Sequence, residues 1–96
     1  HLGGNELRQL LPAWVNPLLD ADRKLDGALI ATMRNYAQAN MNALKAAERL
    51  GVHPNTVYAR FARIKALTAH DPRSYSALGE LLAAVDARCS CPMKCA

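Results

Sequence analysis

The side chains best suited to bind another molecule through charge are concentrated between residues 43 and 66. Five of the chain's 12 Lys and Arg residues lie in this segment, but only one of its 8 acids, so the segment accounts for the whole formal net charge of +4. Such a surface attracts phosphate, in nucleic acid or anionic lipid, although basic helix faces also occur simply as solvated surfaces. The candidate phosphate contacts are Lys45, Arg49, Arg60, Arg63 and Lys65.

A run of short or planar polar side chains begins just after Gly51. Hydrogen-bonding groups of this kind read base edges in the major groove of DNA. His53 alone is equally suited to cap a helix, and the ring of Tyr58 could continue a buried stripe. The candidate base-reading residues are His53, Asn55, Thr56, Tyr58 and Ala59.

The elements that must position these residues follow from spacing. Residues 43–50 predict a short helix capped by Asn42 and ended by Gly51, which tolerates the left-handed backbone of a helix end. A second helix is predicted to start at Pro54, with Val57 and Phe61 facing inward. Small alanines at 46 and 47 allow the two helices to approach closely. The pattern predicts a helix-turn-helix over residues 43–66, and its simpler alternative is an ordinary helical hairpin.

Further helices are expected on both sides of this unit. Two short helices should start near Pro12 and Pro17, followed by a polar link over 20–26 that ends in Asp26 as an N-cap. The helix after Asp26 should turn Thr32 outward, together with Arg34, Asn35 and Gln38. A last helix, from an Asp71-Pro72 cap to about residue 88, is expected to bury Tyr75, Leu78, Leu81, Leu82 and Val85.

Composition agrees with an all-α protein. The chain is 51% hydrophobic, rich in alanine and poor in aromatic residues, which favours closely packed helices over a sheet. We therefore predict a small all-α domain of five to six helices. The sequence has no glycine-rich phosphate loop, no glycine-flanked serine and no His-Glu-x-x-His motif, so we expect neither an enzyme nor a bound cofactor. No membrane span is expected.

Three cysteines, Cys89, Cys91 and Cys95, lie in the last eight residues. Zinc sites usually take four ligands, and neither His53 nor His70 is close in sequence, so we expect no metal site. Unpaired cysteines fit a reducing compartment, and we expect a cytoplasmic protein. The predicted organisation is a linker and short helix over 1–13, a DNA-binding domain over 14–88 and a flexible cysteine-containing tail over 89–96.

Residues 46–68, with the Asp71-Pro72 pair that follows, resemble the carboxy-terminal helix-turn-helix of bacterial transcription regulators of the PucR and CdaR type, the purine-catabolism and carbohydrate-diacid regulators. The resemblance extends over about residues 14–87. The matching residues are Ala47, Leu50, Val52, His53, Asn55, Thr56, Val57, Arg60, Arg63, Ile64, Leu67, Thr68, Asp71 and Pro72. Four residues depart from the family pattern and make this second helix less cationic than is usual in the family: Pro54, Tyr58, Ala59 and Ala62.

The resemblance implies the DNA-binding domain of a bacterial transcriptional regulator, which binds a specific sequence in the major groove through the helix that starts at Pro54. The effector-sensing domain of such a regulator is not contained in these 96 residues. Because one helix-turn-helix contacts few base pairs, we expect double-stranded operator DNA with an inverted repeat and a homodimer of the full-length protein. The alternatives are a Fis-like architectural DNA-binding module and a helical protein-interaction module.

Overall fold

Five α-helices, preceded by one 3₁₀ turn, make up the part of the chain that the structure describes. The structure is a computed structural model, and it describes residues 13–89, with side chains as far as Ala87. The 3₁₀ turn Ala13–Val15 leads into α1 (Asn16–Lys24), and then come α2 (Ala28–Gln38), α3 (Ala43–Leu50), α4 (Pro54–Thr68) and α5 (Tyr75–Cys89). The described residues contain no strand. The predicted all-α fold is confirmed.

The hydrophobic core receives side chains from the 3₁₀ turn and from every helix. Helix α4 is central to it, because its inward side is wholly buried along Val57, Phe61, Ile64 and Thr68. The ring of Phe61 meets that of Tyr36 edge-on, with ring centroids 4.8 Å apart. One buried face along four turns fixes which residues of α4 remain outside.

The predicted polar link over residues 20–26 is wrong for residues 20–24, because these continue α1. Asp22 explains the difference: it is buried, and its Oδ1 accepts a hydrogen bond from the backbone N–H of Ile30 at 2.9 Å. The carboxylate, which belongs to α1, thus accepts a hydrogen bond from one of the backbone N–H groups in the first turn of α2 that have no partner within the helix. Asp26 is therefore not the N-cap of α2. It lies in a left-handed turn with Gly27, which directly precedes the helix.

Thr32 faces the core, contrary to the outward position that its polarity predicts. Its side chain is fully buried, and its Oγ1 donates to the carbonyl oxygen of Ala28 at 2.7 Å. A threonine hydroxyl that bonds to its own helix can be buried without losing a hydrogen-bond partner.

The start of α5 also differs from the prediction. Asp71 and Pro72 form a turn ahead of the helix, in which the backbone N–H of Ser74 donates to the carbonyl oxygen of Asp71 at 2.9 Å. Helix α5 begins at Tyr75, three residues after Pro72. Tyr75 therefore lies in the first turn of the helix and is 83% exposed rather than buried. Leu78, Leu81 and Val85 are buried as predicted.

The predictions for the two ends of the chain fall mostly outside the described residues. These are the linker and short helix over 1–13, of which only Ala13 is described, and the tail over 89–96, of which only the helical backbone of Cys89 is described. Within residues 13–89, no helix is long and apolar enough to cross a bilayer. No cluster of His, Cys, Asp and Glu side chains in that range could hold a metal ion.

Candidate nucleic-acid interface

The α3–turn–α4 unit forms as the sequence predicts. The Oδ1 of Asn42 accepts from the backbone N–H of Lys45 at 3.1 Å and caps α3. Helix α3 ends at Gly51, which has a φ of 71°, a left-handed value that disfavours any residue with a Cβ atom. Ala46 and Ala47 are buried between the helices, so α3 and α4 pack closely.

His53 caps α4 and thereby sets the direction of its first turn. Its Nδ1 accepts from the backbone N–H of Asn55 at 3.0 Å. Because Nδ1 acts as an acceptor, the neutral ring carries its proton on Nε2, and that N–H is the donor left for a ligand. His53 is exposed, as is Asn55.

The outward face of α4 is a stripe of small side chains with one amide at its amino-terminal end. At 100° per residue, the exposed residues Asn55, Ala59, Ala62 and Ala66 share the side opposite the buried one. Nothing longer than a methyl group covers the helix backbone between Asn55 and Ala66 along this stripe. The helix can therefore come very close to a surface that receives it, with Asn55 leading.

The five candidate phosphate contacts differ in what they bind within the protein. Arg49 donates through Nε to Oδ1 of Asn35 at 3.0 Å and through Nη2 to Oε1 of Gln38 at 2.5 Å, which ties α3 to α2. Arg60 is half-buried and donates through Nη1 to Oγ1 of Thr32 at 3.0 Å.

The other three candidates, Lys45, Arg63 and Lys65, are exposed. Among residues 13–87 they make no side-chain hydrogen bond or ion pair. Arg63 and Lys65 are two residues apart on α4, which separates their directions by about 200°. They therefore lie on opposite flanks of the alanine stripe, and their charges are available to an anion on either side of the helix.

One open groove brings several of the predicted residues together. It lies between the α1–α2 connection and the first half of α4, and its volume is about 360 Å³. The groove does not include the candidates Lys45, Arg49, His53, Tyr58 and Lys65. The groove is lined by Leu25, Leu29, Asn55, Thr56, Ala59, Arg60 and Arg63.

Tyr58 has a cationic neighbour that sequence reasoning missed. Tyr58 is 41% exposed, and the Cζ atom of Arg73 lies 5.3 Å from the centroid of its ring, within the range of a cation–π contact. Sequence reasoning missed Arg73 because it counted charge by segment. Outside residues 43–66 the basic and acidic residues are equal in number, so no excess charge pointed to Arg73. Its position immediately after Asp71-Pro72 was the available signal, since the turn brings it back to α4.

The buried Tyr36 interacts electrostatically with both residues of this pair. Burial raises the pKa of its hydroxyl above the ordinary value, while the charge of Arg73 acts in the opposite direction and lowers it. The phenol of Tyr36 is therefore neutral at physiological pH. It therefore adds no charge next to Arg73 and Tyr58.

A short first helix, a left-handed glycine turn and a second helix with a polar first turn together define a helix-turn-helix domain. A family model described as the PucR C-terminal helix-turn-helix domain matches residues 29–87, which is more than half of the chain. The chain belongs to this family, which confirms the resemblance to PucR-type regulators over residues 29–87. The 3₁₀ turn and α1 precede the matched residues. Comparisons with curated proteins and with solved structures found no match.

Proposed function

We propose that this chain is the DNA-binding domain of a bacterial transcriptional regulator and that α4 binds a specific sequence in the major groove. The observation that carries the proposal is the outer face of α4, a stripe of alanines led by Asn55 with Arg63 and Lys65 on its two flanks. The major groove is about 12 Å wide and admits one helix, with a phosphate backbone along each side. A helix that is narrow outward and cationic on both flanks matches that shape.

Base reading is assigned to the first turns of α4. The amide of Asn55 can pair with the N6 and N7 edge of adenine, and the methyl of Ala59 can pack against a thymine methyl. Thr56, the Nε2–H of His53 and the hydroxyl of Tyr58 add hydrogen-bonding capacity next to them. Contacts with the phosphate backbone are assigned to Lys45, Arg49, Arg60, Arg63 and Lys65.

The proposed regulator acts in the bacterial cytoplasm as a homodimer on an inverted repeat, because two-fold protein symmetry matched to DNA multiplies the few contacts of one domain. Residues 14–88 are assigned to the DNA-binding domain, residues 1–13 to a linker and short helix, and residues 89–96 to a flexible cysteine-containing tail. Effector sensing is assigned to another part of the regulator. The domain itself acts without catalysis and without a cofactor.

The test starts by selecting duplexes that the 96-residue chain enriches from a random pool, and then compares Kd for the selected and a scrambled duplex. Asn55→Ala should weaken binding to the selected duplex by about 1–3 kcal/mol and leave the scrambled duplex almost unaffected, because a base contact carries specificity. Asn16→Ala, at an exposed asparagine in the first turn of α1, is the matched control. Circular dichroism verifies that the helices persist.

Three outcomes would contradict this assignment. If the 96-residue chain enriches no duplex from the random pool, it is not a DNA-binding domain. Equal affinity for selected and scrambled DNA would instead indicate an architectural module. Full affinity of Asn55→Ala for the selected duplex would remove Asn55 from the base-reading set.

A further inference from the structure

We propose that Arg73, in the turn between α4 and α5, is a phosphate contact outside the helix-turn-helix and that the ring of Tyr58 holds it in place. This inference rests on the proposed function. It extends the DNA-binding surface beyond the two helices of the motif. It also changes the role of Tyr58 from base reader to positioning residue.

The position of Tyr58 around α4 places Arg73 on a particular flank. Tyr58 and Lys65 are seven residues apart, almost two full turns, so they share one side of the helix. The Arg73 guanidinium lies over the Tyr58 ring, 5.3 Å from its centroid, and so belongs to the Lys65 flank.

Arg60 and Arg63 lie on the other flank, where they line the groove beside α1 and α2. With Arg73 included, each flank of the alanine stripe carries two cations. This distribution fits a helix that meets a phosphate backbone on both of its sides.

The turn that carries Arg73 is fixed by its own contacts. Oδ1 of Asp71 accepts the backbone N–H of Arg73 at 3.0 Å, and Pro72 is fully buried. The side chain of Arg73 is exposed, and no carboxylate among residues 13–87 forms an ion pair with it. Its position is therefore determined while its charge remains unneutralised, which is what an anion-binding side chain requires.

The covered ring explains why Tyr58 is better suited to positioning than to base reading. Base pairs present hydrogen-bonding edges to the major groove, so base reading would use the hydroxyl of Tyr58, whereas the contact with Arg73 uses the face of its ring. The same contact restricts the rotamers of a long side chain, so that less conformational entropy is lost when Arg73 binds a phosphate. The ring face, rather than the hydroxyl, is the part of Tyr58 that this role needs.

The experiment measures the salt dependence of Kd for the 96-residue chain on selected and scrambled duplexes. Arg73→Ala should remove one phosphate contact, so the slope of log K against log salt should fall by about 0.9 on both duplexes. The ratio of Kd at 200 mM to Kd at 50 mM salt should accordingly be about 3.5-fold smaller than for the unaltered chain. Arg23→Ala is the matched control, because Arg23 is an exposed arginine on α1 that pairs with Asp20, and it should leave the slope unchanged.

Substitutions at Tyr58 separate the ring from the hydroxyl. Tyr58→Phe keeps the ring face and should bind both duplexes like the unaltered chain. Tyr58→Leu should weaken binding to both by about two- to fivefold, the range of an exposed cation–π contact. The double variant Tyr58→Leu/Arg73→Ala should bind no more weakly than Arg73→Ala alone, since both changes remove the same contact.

Each other result counts against the inference. An unchanged slope for Arg73→Ala, checked with Arg73→Glu, would exclude Arg73 as a phosphate contact. Loss of sequence preference in Tyr58→Phe would return Tyr58 to the base readers, and additive effects of the two changes would mean that they act separately. If the unaltered chain still prefers its selected duplex, the proposed function survives any of these results; if it binds no DNA, both proposals fail together.

Discussion

Arg60 has a structural partner as well as a proposed DNA contact. Its Nη1 donates to the buried Oγ1 of Thr32, which itself donates to the carbonyl oxygen of Ala28. A guanidinium has five N–H donors, so this single bond leaves four for a phosphate. Arg60 can therefore join α4 to α2 and meet DNA at the same time, and a simple alanine substitution would mix the two effects.

The two roles of Arg60 are separated by changing its partner. Thr32→Val removes the hydroxyl but keeps the shape of the side chain, and it should lower the free energy of unfolding by about 1 kcal/mol while Arg60 still meets DNA. Arg60→Ala should lower stability by a similar amount and also reduce the salt slope of DNA binding by about 0.9. Urea unfolding and salt titrations of both variants provide the measurements. A salt slope unchanged in Arg60→Ala would confine Arg60 to the fold.

At the scale of elements, the local signals around residues 42–54 were sufficient to predict the structure. Asn42, Gly51 and His53 act through hydrogen bonds and backbone angles within a few residues of themselves, so sequence spacing alone specifies them. The inward positions of Val57 and Phe61 follow from helical periodicity in the same way. This is why the sequence alone predicts the helix-turn-helix and its outward residues.

The elements that were mispredicted depend on partners distant in sequence. Asp22 caps α2 across eight residues, and Thr32 binds Arg60 across 28. Arg73 meets Tyr58 only because the Asp71-Pro72 turn folds back onto α4. Polarity predicted exposure for Asp22 and Thr32. Thr32 is satisfied by a local bond to Ala28, but only tertiary packing shows that Thr32 also accepts from Arg60 and that Asp22 accepts from Ile30.

Two glycines, one at a helix end and one within a helix, should respond oppositely to the same substitution. A Cβ atom at Gly51 or at Gly79 would meet nothing within 4 Å, so backbone conformation alone decides the effect. Gly51→Ala forces alanine into a left-handed backbone and should destabilise by about 1–2 kcal/mol. Gly79→Ala, in the middle of α5, should stabilise by about 1 kcal/mol. Thermal unfolding of both variants is the measurement. A rise in Tm for Gly51→Ala would contradict the left-handed end of α3, and a fall in Tm for Gly79→Ala would contradict the expected gain in α5.

At the scale of the whole molecule, the segment ahead of the family match is part of the same core. Trp14 stacks on His70 with ring centroids 3.9 Å apart and an angle of 13° between the planes. The backbone N–H of His70 in turn donates to Oγ1 of Thr68, the last residue of α4. Val15 and Leu18 are fully buried among residues of the other helices. These contacts join the 3₁₀ turn and α1 to the carboxyl end of α4, the helix that is proposed to enter DNA.

Because of this shared core, the described segment should unfold in one step. Trp14 is the only tryptophan of the chain, so its fluorescence reports on the 3₁₀ turn, while circular dichroism reports on all the helices. The two urea transitions should coincide, as they do for a cooperative domain of this size. Leu18→Ala should lower the free energy of unfolding by about 2–5 kcal/mol and move both transitions together, since it opens a cavity in a common core. Trp14→Phe, followed by circular dichroism, controls for the probe. A fluorescence transition that precedes the loss of helix, or one that Leu18→Ala shifts alone, would make α1 a separate unit packed on the family domain.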